Sequence, residues 1–256
     1  MTLFNCDKRN DRHFVKDENF YRFETDLLHY KKNNITAPVM INKPNMVAIY
    51  LSIADKAFAN ASHIYNNTII PNLQYDSSNK KYAINIANTD DEVLNLFEQI
   101  FISLIFSYTA VEAFINTLIP SNFTSIQNVD GEEKIVDANW IQRFLPLEDK
   151  IKKTIPIALN INFNANKFKA WSNFAILKKH RDSLIHLKKE LIIDNKSSQL
   201  NFVQFLVGDI LTKDIIESAR ALIKHISKKI GNHPSIPYEF CSESIELKDV
   251  INHFKS

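Results

Sequence analysis

The sequence predicts a mostly α-helical fold, and three observations support this prediction. The 256-residue chain contains only 3 glycines, far below the usual proportion, which disfavours folds built on tight turns or glycine-lined phosphate loops. Apolar residues make up 45 % of the chain and charged residues 23 %, as in ordinary folded proteins. Several long segments have helical periodicity and there is no internal repeat, so we expect one helical bundle with terminal elaborations.

The charge balance argues against a protein that wraps nucleic acid over its whole surface. Lys and Arg number 31 and Asp and Glu number 29, which gives a net charge of +2 and leaves room for a local basic patch. Cys6 and Cys241 lack the spacing of a zinc site, and no acidic cluster suits magnesium. We therefore expect no metal and no cofactor.

The first 89 residues divide into two predicted segments. Residues 1–45 are polar and irregular, which predicts an N-terminal extension with at most short helical pieces. Residues 46–89 are predicted to pack on the bundle as a helix and a hairpin. The helix runs over 46–67, ahead of Pro71, and two apolar runs flanking a polar turn predict a small β-hairpin over 69–86.

A long apolar helix is predicted over 90–119, where acidic residues mark its start and Pro120 marks its end. Residues 100–119 contain one charge, Glu112, and are long enough to span a membrane. The alternative is a central helix buried in the bundle, which we favour because Glu112 and Asn116 would be costly in lipid. We therefore expect no membrane association. The charged N-terminus lacks the apolar core of a secretory signal, so we expect a cytoplasmic protein.

The second half of the chain continues the helical pattern. A polar loop is predicted over 121–139 around Asp130 and Gly131, followed by a shorter helix near 147–153. Further predictions are a long helix over 164–189, a hairpin over 191–203, a helix over 209–230, and a C-terminal tail with one short helix over 231–256. The apolar side of the 164–189 helix is predicted to comprise Phe168, Trp171, Phe174, Ala175, Leu177 and Leu184.

That helix also carries the densest group of reactive side chains in the chain. Arg181, Asp182 and His186 lie among lysines, and at about 100° per residue Asp182 can contact His186, while Arg181 and His186 flank one ridge. Histidine transfers protons near neutral pH, and the planar guanidinium of arginine holds two phosphate oxygens. RNA cleavage needs these two functions and can proceed without metal because the 2′-hydroxyl of the substrate is the nucleophile.

The pattern Arg181-Asp182, three further residues and His186 resembles the signature of the higher eukaryotes and prokaryotes nucleotide-binding (HEPN) superfamily. Residues 168–188 resemble the motif helix of that family, and residues 108–116 resemble its earlier, polar-marked helix. The resemblance implies an HEPN-like helical bundle over residues 90–230. It further implies a metal-independent endoribonuclease of toxin–antitoxin or antiphage abortive-infection systems, which leaves a 2′,3′-cyclic phosphate.

The resemblance also implies roles for individual residues. Arg181 and His186 would be catalytic in a groove formed by a homodimer, with RNA as the substrate and an antitoxin or defence protein as a further partner. Supporting groups would be Asp182, which replaces the often-seen Asn, together with Glu112 and Asn116. Lys178, Lys179, Lys188 and Lys189 would hold the RNA backbone. The N-terminal extension has no assigned counterpart in the family.

Other interpretations of the same residues stand beside these. Arg181 and Asp182 would equally suit a solvated charged face, His186 a structural histidine, and Glu112 and Asn116 hydrogen bonds within the bundle. His180 falls on another face of the helix and is expected at the surface. At the level of the whole protein, the alternative is a non-catalytic HEPN-like module that binds RNA, a nucleotide or a protein.

Overall fold

The computed structural model describes residues 45–78, 90–185 and 215–230, together with the backbone of strands 14–17, 20–23, 25–32, 35–42 and 81–84. The described part of the chain is mostly helical, which confirms the predicted fold class. The predicted hairpin over 191–203 and the predicted short helix in the C-terminal tail lie outside these residues.

The N-terminal extension contains strands, so the prediction of at most short helical pieces there is wrong. Four strands form two antiparallel ribbons, β1 with β2 and β3 with β4. Pro38 lies in β4 opposite His29. A proline is tolerated in a two-stranded ribbon, because every strand there has one edge that needs no backbone donor. The strands are β1 Phe14–Asp17, β2 Phe20–Phe23, β3 Thr25–Lys32 and β4 Ile35–Asn42.

Helix α1 spans Met46–Ile64 and confirms the predicted first helix. Asn45 caps its N-terminus, where Oδ1 accepts hydrogen bonds from the backbone N–H groups of Val47 and Ala48 at 3.0 and 3.2 Å. One π-helical turn, Tyr65–Ile69, and one 3₁₀ turn, Ile70–Asn72, follow the helix. The hairpin predicted next is present, because β5, Leu73–Asp76, pairs with β6, Lys81–Ile84.

Helix α2 spans Asp90–Thr117, close to the predicted boundaries. By length and composition alone it could cross a membrane, and half of its most apolar window is buried inside the protein. Its fully buried positions follow helical spacing, as expected of a helix that is covered on several sides. The positions with at most 1 % exposure are Ile100, Ser103, Leu104, Ser107, Ala110, Val111, Phe114 and Ile115.

A β-hairpin replaces the polar loop predicted after α2, so that prediction is wrong. Strand β7, Thr124–Val129, pairs with β8, Glu132–Asp137, and Asp130 and Gly131 alone connect them. Both connecting residues have positive φ, 56° and 88°, as a type I′ turn requires. An Asp-Gly pair favours this turn, but the flanking strands are mostly polar and lack the apolar alternation that predicts a hairpin. Such polarity is possible because most side chains of this hairpin are exposed to solvent.

Short helices follow this hairpin. Helix α3, Ala138–Phe144, was not predicted, and its N-cap is Asp137, whose Oδ1 accepts a hydrogen bond from the backbone N–H of Trp140 at 2.8 Å. The helix predicted near 147–153 is present as three consecutive pieces. These are α4, Leu147–Asp149, a π-helical turn, Lys150–Thr154, and α5, Ile155–Ala158.

Two longer helices complete the described chain. Helix α6 spans Lys169–Ile185 and is preceded by a 3₁₀ turn, Ala165–Lys167, so it confirms the predicted helix as far as residue 185. Helix α7 spans Glu217–Ile230, within the predicted 209–230 segment, whose first residues lie outside the described chain. Arg220 of α7 donates a hydrogen bond to Asp55 of α1 at 2.5 Å.

The chain forms two compact units. Unit 1 comprises residues 1–49, 111–165 and 223–256, and unit 2 comprises residues 50–110 and 166–222. Each unit has buried apolar side chains from several helices. In unit 1 these include Phe114, Ile115, Ile141, Ile151, Ile155, Ile223 and Ile226, and in unit 2 they include Leu51, Leu96, Ile100, Leu104, Phe174, Leu177 and Leu222.

The β7–β8 turn gives a first testable prediction. Gly131→Ala should lower the free energy of unfolding by about 1 kcal/mol, because a Cβ is disfavoured at a φ of 88°. Apart from Gly131 and its two chain neighbours, no residue has an atom within 4 Å of that Cβ, so the cost comes from the backbone conformation and not from a clash with the rest of the protein. Gly131→Asn is the control and should cost less, since asparagine tolerates positive φ. Urea denaturation measures both variants, and an alanine variant as stable as the wild type would contradict the turn assignment.

Candidate functional site

Three charged side chains of α6 lie together near its C-terminal end. The Asp182 carboxylate accepts a hydrogen bond from Lys178 Nζ at 2.8 Å and another from Arg181 Nη1 at 2.9 Å. Lys178 reaches Asp182 because side chains four residues apart lie on the same side of a helix. The side chains are partly exposed, at 27 % for Lys178, 25 % for Arg181 and 33 % for Asp182. One carboxylate therefore bridges two partly buried cations.

These contacts lower the pKa of Asp182. Burial on its own would raise this pKa, but hydrogen bonds from Lys178 and Arg181, together with their positive charges, outweigh the effect of burial. The carboxylate is therefore ionised at neutral pH. With Lys179 nearby in sequence, this end of α6 still keeps more positive than negative side chains.

The guanidinium of Arg181 lies over an aromatic ring. Its Cζ is 4.5 Å from the ring centroid of Tyr108 in α2, which is within the range of a cation–π interaction. The ring of Tyr108 also stacks on Phe174 of α6, with centroids 5.9 Å apart and planes 2° from parallel. Tyr108 thus contacts two α6 side chains that are seven residues apart.

The aromatic contacts of Tyr108 continue along α6. Phe174 contacts Trp171 in turn, with centroids 5.7 Å apart, so an aromatic column leads up to the guanidinium.

His180 is buried, which corrects its predicted place at the surface. It is 8 % exposed and continues the buried stripe of Trp171, Phe174 and Leu177 at intervals of three residues. The prediction failed because histidine was treated as a surface residue next to a charged run, although its position in the helical repeat is apolar. Of the predicted apolar side, Trp171, Phe174 and Leu177 are buried, whereas Ala175 is exposed.

Among the remaining predicted residues of the motif, the structure describes Lys179. Lys179 is exposed, and its backbone carbonyl accepts a hydrogen bond from Ser183 Oγ at 2.8 Å. His186, Lys188 and Lys189 lie outside the described residues, so the predicted approach of Arg181 to His186 stays a prediction.

Of the two predicted supporting residues on α2, Asn116 binds Lys150 of unit 1, and the negative charge of Glu112 acts on the same lysine. Lys150 is 1 % exposed, and its Nζ donates hydrogen bonds to Asn116 Oδ1 at 2.9 Å and to the Gln142 carbonyl at 2.6 Å. Gln142 in turn donates from Nε2 to the Asn116 carbonyl at 2.9 Å. The alternative role that the sequence left open for Asn116, a structural hydrogen-bonding group, therefore has direct support.

Burial lowers the pKa of Lys150, because it disfavours the charged ammonium, while the negative charge of Glu112 partly offsets this effect. Lys150 escaped the sequence analysis, although its position offered a signal. Leu147, Lys150, Ile151, Thr154 and Ile155 repeat at helical spacing, and all five are buried. A lysine in such a stripe must find acceptors inside the protein.

Tyr108 is the second residue whose role the sequence did not reveal. It begins the segment over 108–116 that resembles the polar-marked helix of the family, but its contact with Arg181 depends on two helices that are distant in sequence. No spacing rule within one helix predicts such a contact.

Comparison with known proteins adds no relatives: no protein-family model, curated protein or solved structure matches this chain. Within residues 45–78, 90–185 and 215–230, no three His, Cys, Asp or Glu side chains form a group that could hold a metal ion.

Lys150 gives a prediction on pH dependence. Lys150→Met should lower the free energy of unfolding by about 1 to 3 kcal/mol near neutral pH, because Asn116 and the Gln142 carbonyl lose a donor. The folded-state pKa of Lys150 lies below its ordinary value of 10.5. At pH values between the folded-state pKa and 10.5, the unfolded chain therefore binds more protons than the folded chain. The free energy of unfolding of the wild type should rise relative to that of the variant as pH increases through this range.

Urea denaturation at several pH values from about pH 8 to about pH 10 measures this difference. Lys153→Met is the matched control, because the side chain of Lys153 is 73 % exposed and pairs with Asp149 at the surface. The control should show no such pH-dependent difference. If the free energy of unfolding of the wild type, relative to that of Lys150→Met, stays constant or falls with rising pH, the burial of a charged Lys150 is contradicted.

Proposed function

We propose that this protein is a metal-independent endoribonuclease of HEPN type that acts in toxin–antitoxin or antiphage abortive-infection defence. The proposal includes a cytoplasmic homodimer with an HEPN-like helical bundle over residues 90–230. It draws on the sequence resemblance around Arg181 and His186 and on the geometry of α6.

The observation that carries the proposal is the arrangement of Arg181. Its guanidinium is partly buried, lies on Tyr108 and is hydrogen-bonded to Asp182 through Nη1. A guanidinium has several N–H donors, so this one bond leaves others for a ligand. Partial burial strengthens a charge-assisted hydrogen bond to phosphate, because the surroundings screen the charge less than bulk water does.

The chemistry follows from these groups and from the substrate. The 2′-hydroxyl of RNA attacks the adjacent phosphorus and loses its proton, and the bond to the 5′-oxygen of the next nucleotide breaks as that oxygen gains a proton. The products are a 2′,3′-cyclic phosphate and a 5′-hydroxyl. Arg181 stabilises the negative charge that develops on the phosphoryl oxygens, and His186 serves in proton transfer.

The lysines of the motif hold the RNA backbone in this proposal. Lys179 is exposed and suits contact with a phosphate, while Lys178 is bound to Asp182 and needs an exchange of partners first. Lys188 and Lys189 extend the basic run in sequence. In the homodimer, the motif helices of both copies border one groove, so that each copy contributes cations to a single RNA strand.

One observation favours a second candidate function, a non-catalytic HEPN-like module that binds RNA, a nucleotide or a protein. Asp182 neutralises part of the positive charge of Arg181 and Lys178, which weakens their hold on a phosphate. Where the proposed family often has Asn, this chain has an ionised carboxylate. Binding without turnover would distinguish this candidate from the enzyme.

Incubation of the purified protein with RNA and a chelator tests the proposal. The wild type should produce fragments that end in a 2′,3′-cyclic phosphate. Arg181→Ala and His186→Ala should each slow cleavage by at least about 100-fold, because one variant removes charge stabilisation and the other removes proton transfer. Cleavage is followed on denaturing gels, and the fragment ends are identified by mass spectrometry.

Arg143→Ala is the matched control for this experiment. Arg143 also lies near an aromatic ring, with Cζ 5.5 Å from the centroid of Phe144, but it belongs to the exposed surface of α3. Its loss should leave cleavage at the wild-type rate. Absence of cleavage by the wild type, or cleavage that survives both motif substitutions, would overturn the catalytic assignment.

A further inference from the structure

We infer that Tyr108 is a positioning residue for RNA cleavage and that the face of its aromatic ring sets the plane of the Arg181 guanidinium. This inference rests on the proposed function, because it concerns the same arginine. It adds a residue from α2, a helix distant in sequence from the motif, to the set on which the reaction depends.

Two contacts restrain the guanidinium in different ways. The Cζ of Arg181 lies over the Tyr108 ring, 4.5 Å from its centroid, and Asp182 accepts a hydrogen bond from Nη1 at 2.9 Å. The ring limits tilting of the guanidinium, and the hydrogen bond limits its rotation. Together they fix the direction in which the remaining N–H donors point, which is what a bidentate phosphate contact needs.

The Tyr108 ring is itself held in place. Tyr108 is 5 % exposed, and Phe174, which stacks parallel to it, is fully buried. Trp171, 9 % exposed, packs against Phe174 in turn. A buried ring that stacks on another buried ring has little freedom to tilt, so Tyr108 offers the guanidinium a rigid support.

The electrostatics of the ring matter as well as its shape. The face of an aromatic ring is negative and attracts a cation, and the attraction increases when the cation is partly removed from water. The side chain of Arg181 is 25 % exposed, so water screens this contact only in part. A side chain of equal size without the negative face would fill the same space and hold the guanidinium less firmly.

This distinction permits a test that separates positioning from packing. Tyr108→Phe keeps the ring face and should cleave RNA within about twofold of the wild-type rate. Tyr108→pentafluorophenylalanine keeps the shape of the ring but removes its negative face, and it should cleave about tenfold more slowly than Tyr108→Phe. A purely structural role for Tyr108 predicts equal rates for these two variants, because both rings fill the site.

A double-mutant cycle shows whether the effect passes through Arg181. The probe is a fully 2′-O-methylated RNA oligonucleotide of mixed sequence, which binds but lacks the attacking hydroxyl. Fluorination at position 108 should weaken binding about tenfold when Arg181 is present and should have no effect in the Arg181→Ala background. Tyr50→Leu is the matched control, because it removes another aromatic ring of unit 2, one that packs on Phe106 with centroids 5.8 Å apart. It should leave the affinity for the probe unchanged.

The outcomes separate the two proposals. Cleavage by the wild type together with equal rates for Tyr108→Phe and its fluorinated counterpart overturns the role of Tyr108 and leaves the proposed function standing. If fluorination at position 108 still weakens binding in the Arg181→Ala background, the role of Tyr108 is overturned and the proposed function again stands. A wild type that neither binds nor cleaves RNA overturns the proposed function and the role of Tyr108 with it.

Discussion

The contact between the Arg181 guanidinium and the Tyr108 ring is the interaction on which this account of the protein depends. A cation that is three-quarters buried needs favourable partners, because removal from water is costly. Tyr108 supplies the face of its ring to the guanidinium, and Asp182 accepts a hydrogen bond from Nη1. The same two partners that make burial possible also hold the guanidinium in a defined orientation.

Helix α2 supplies partners to two different cations, an aromatic ring to one and polar side chains to the other. Tyr108 contacts Arg181 in unit 2. Eight residues further along, Asn116 binds the buried Lys150 of unit 1, and the charge of Glu112 acts on that lysine as well. The family resemblance implies a place for Glu112 and Asn116 beside Arg181, and hydrogen bonds within the bundle are the alternative that the sequence left open. Their described partners instead give them a role in compensating Lys150, and a role beside Arg181 stays a prediction.

Helical spacing and caps were enough to predict most of the described helices. Helices α1, α2 and α6 stand out because their apolar residues repeat at that spacing over many turns. The β7–β8 hairpin was missed because its strands are largely exposed and so lack the alternation of buried apolar residues. His180 and Lys150 were misjudged or overlooked for a common reason, namely that residue type was given more weight than position in the buried stripe.

The motif itself was predictable only in part. Helical spacing predicted a contact of Asp182 with His186, which lies outside the described residues. The same rule accounts for the contact of Lys178 with Asp182, which was not predicted. The Tyr108 contact joins residues 73 positions apart and depends on how α2 and α6 pack. Packing of this kind is a property of the whole unit, and no local pattern contains it.

The most direct test of the central claim is the NMR spectrum of the arginine side chains in ¹⁵N-labelled protein. The resonances that disappear in Arg181→Lys identify Arg181. We expect slow rotation of its guanidinium in the free protein, because Tyr108 and Asp182 restrain it, and a change in its Nη shifts on addition of 2′-O-methylated RNA. Rapid rotation in the free protein together with unchanged shifts in the presence of RNA would contradict the account.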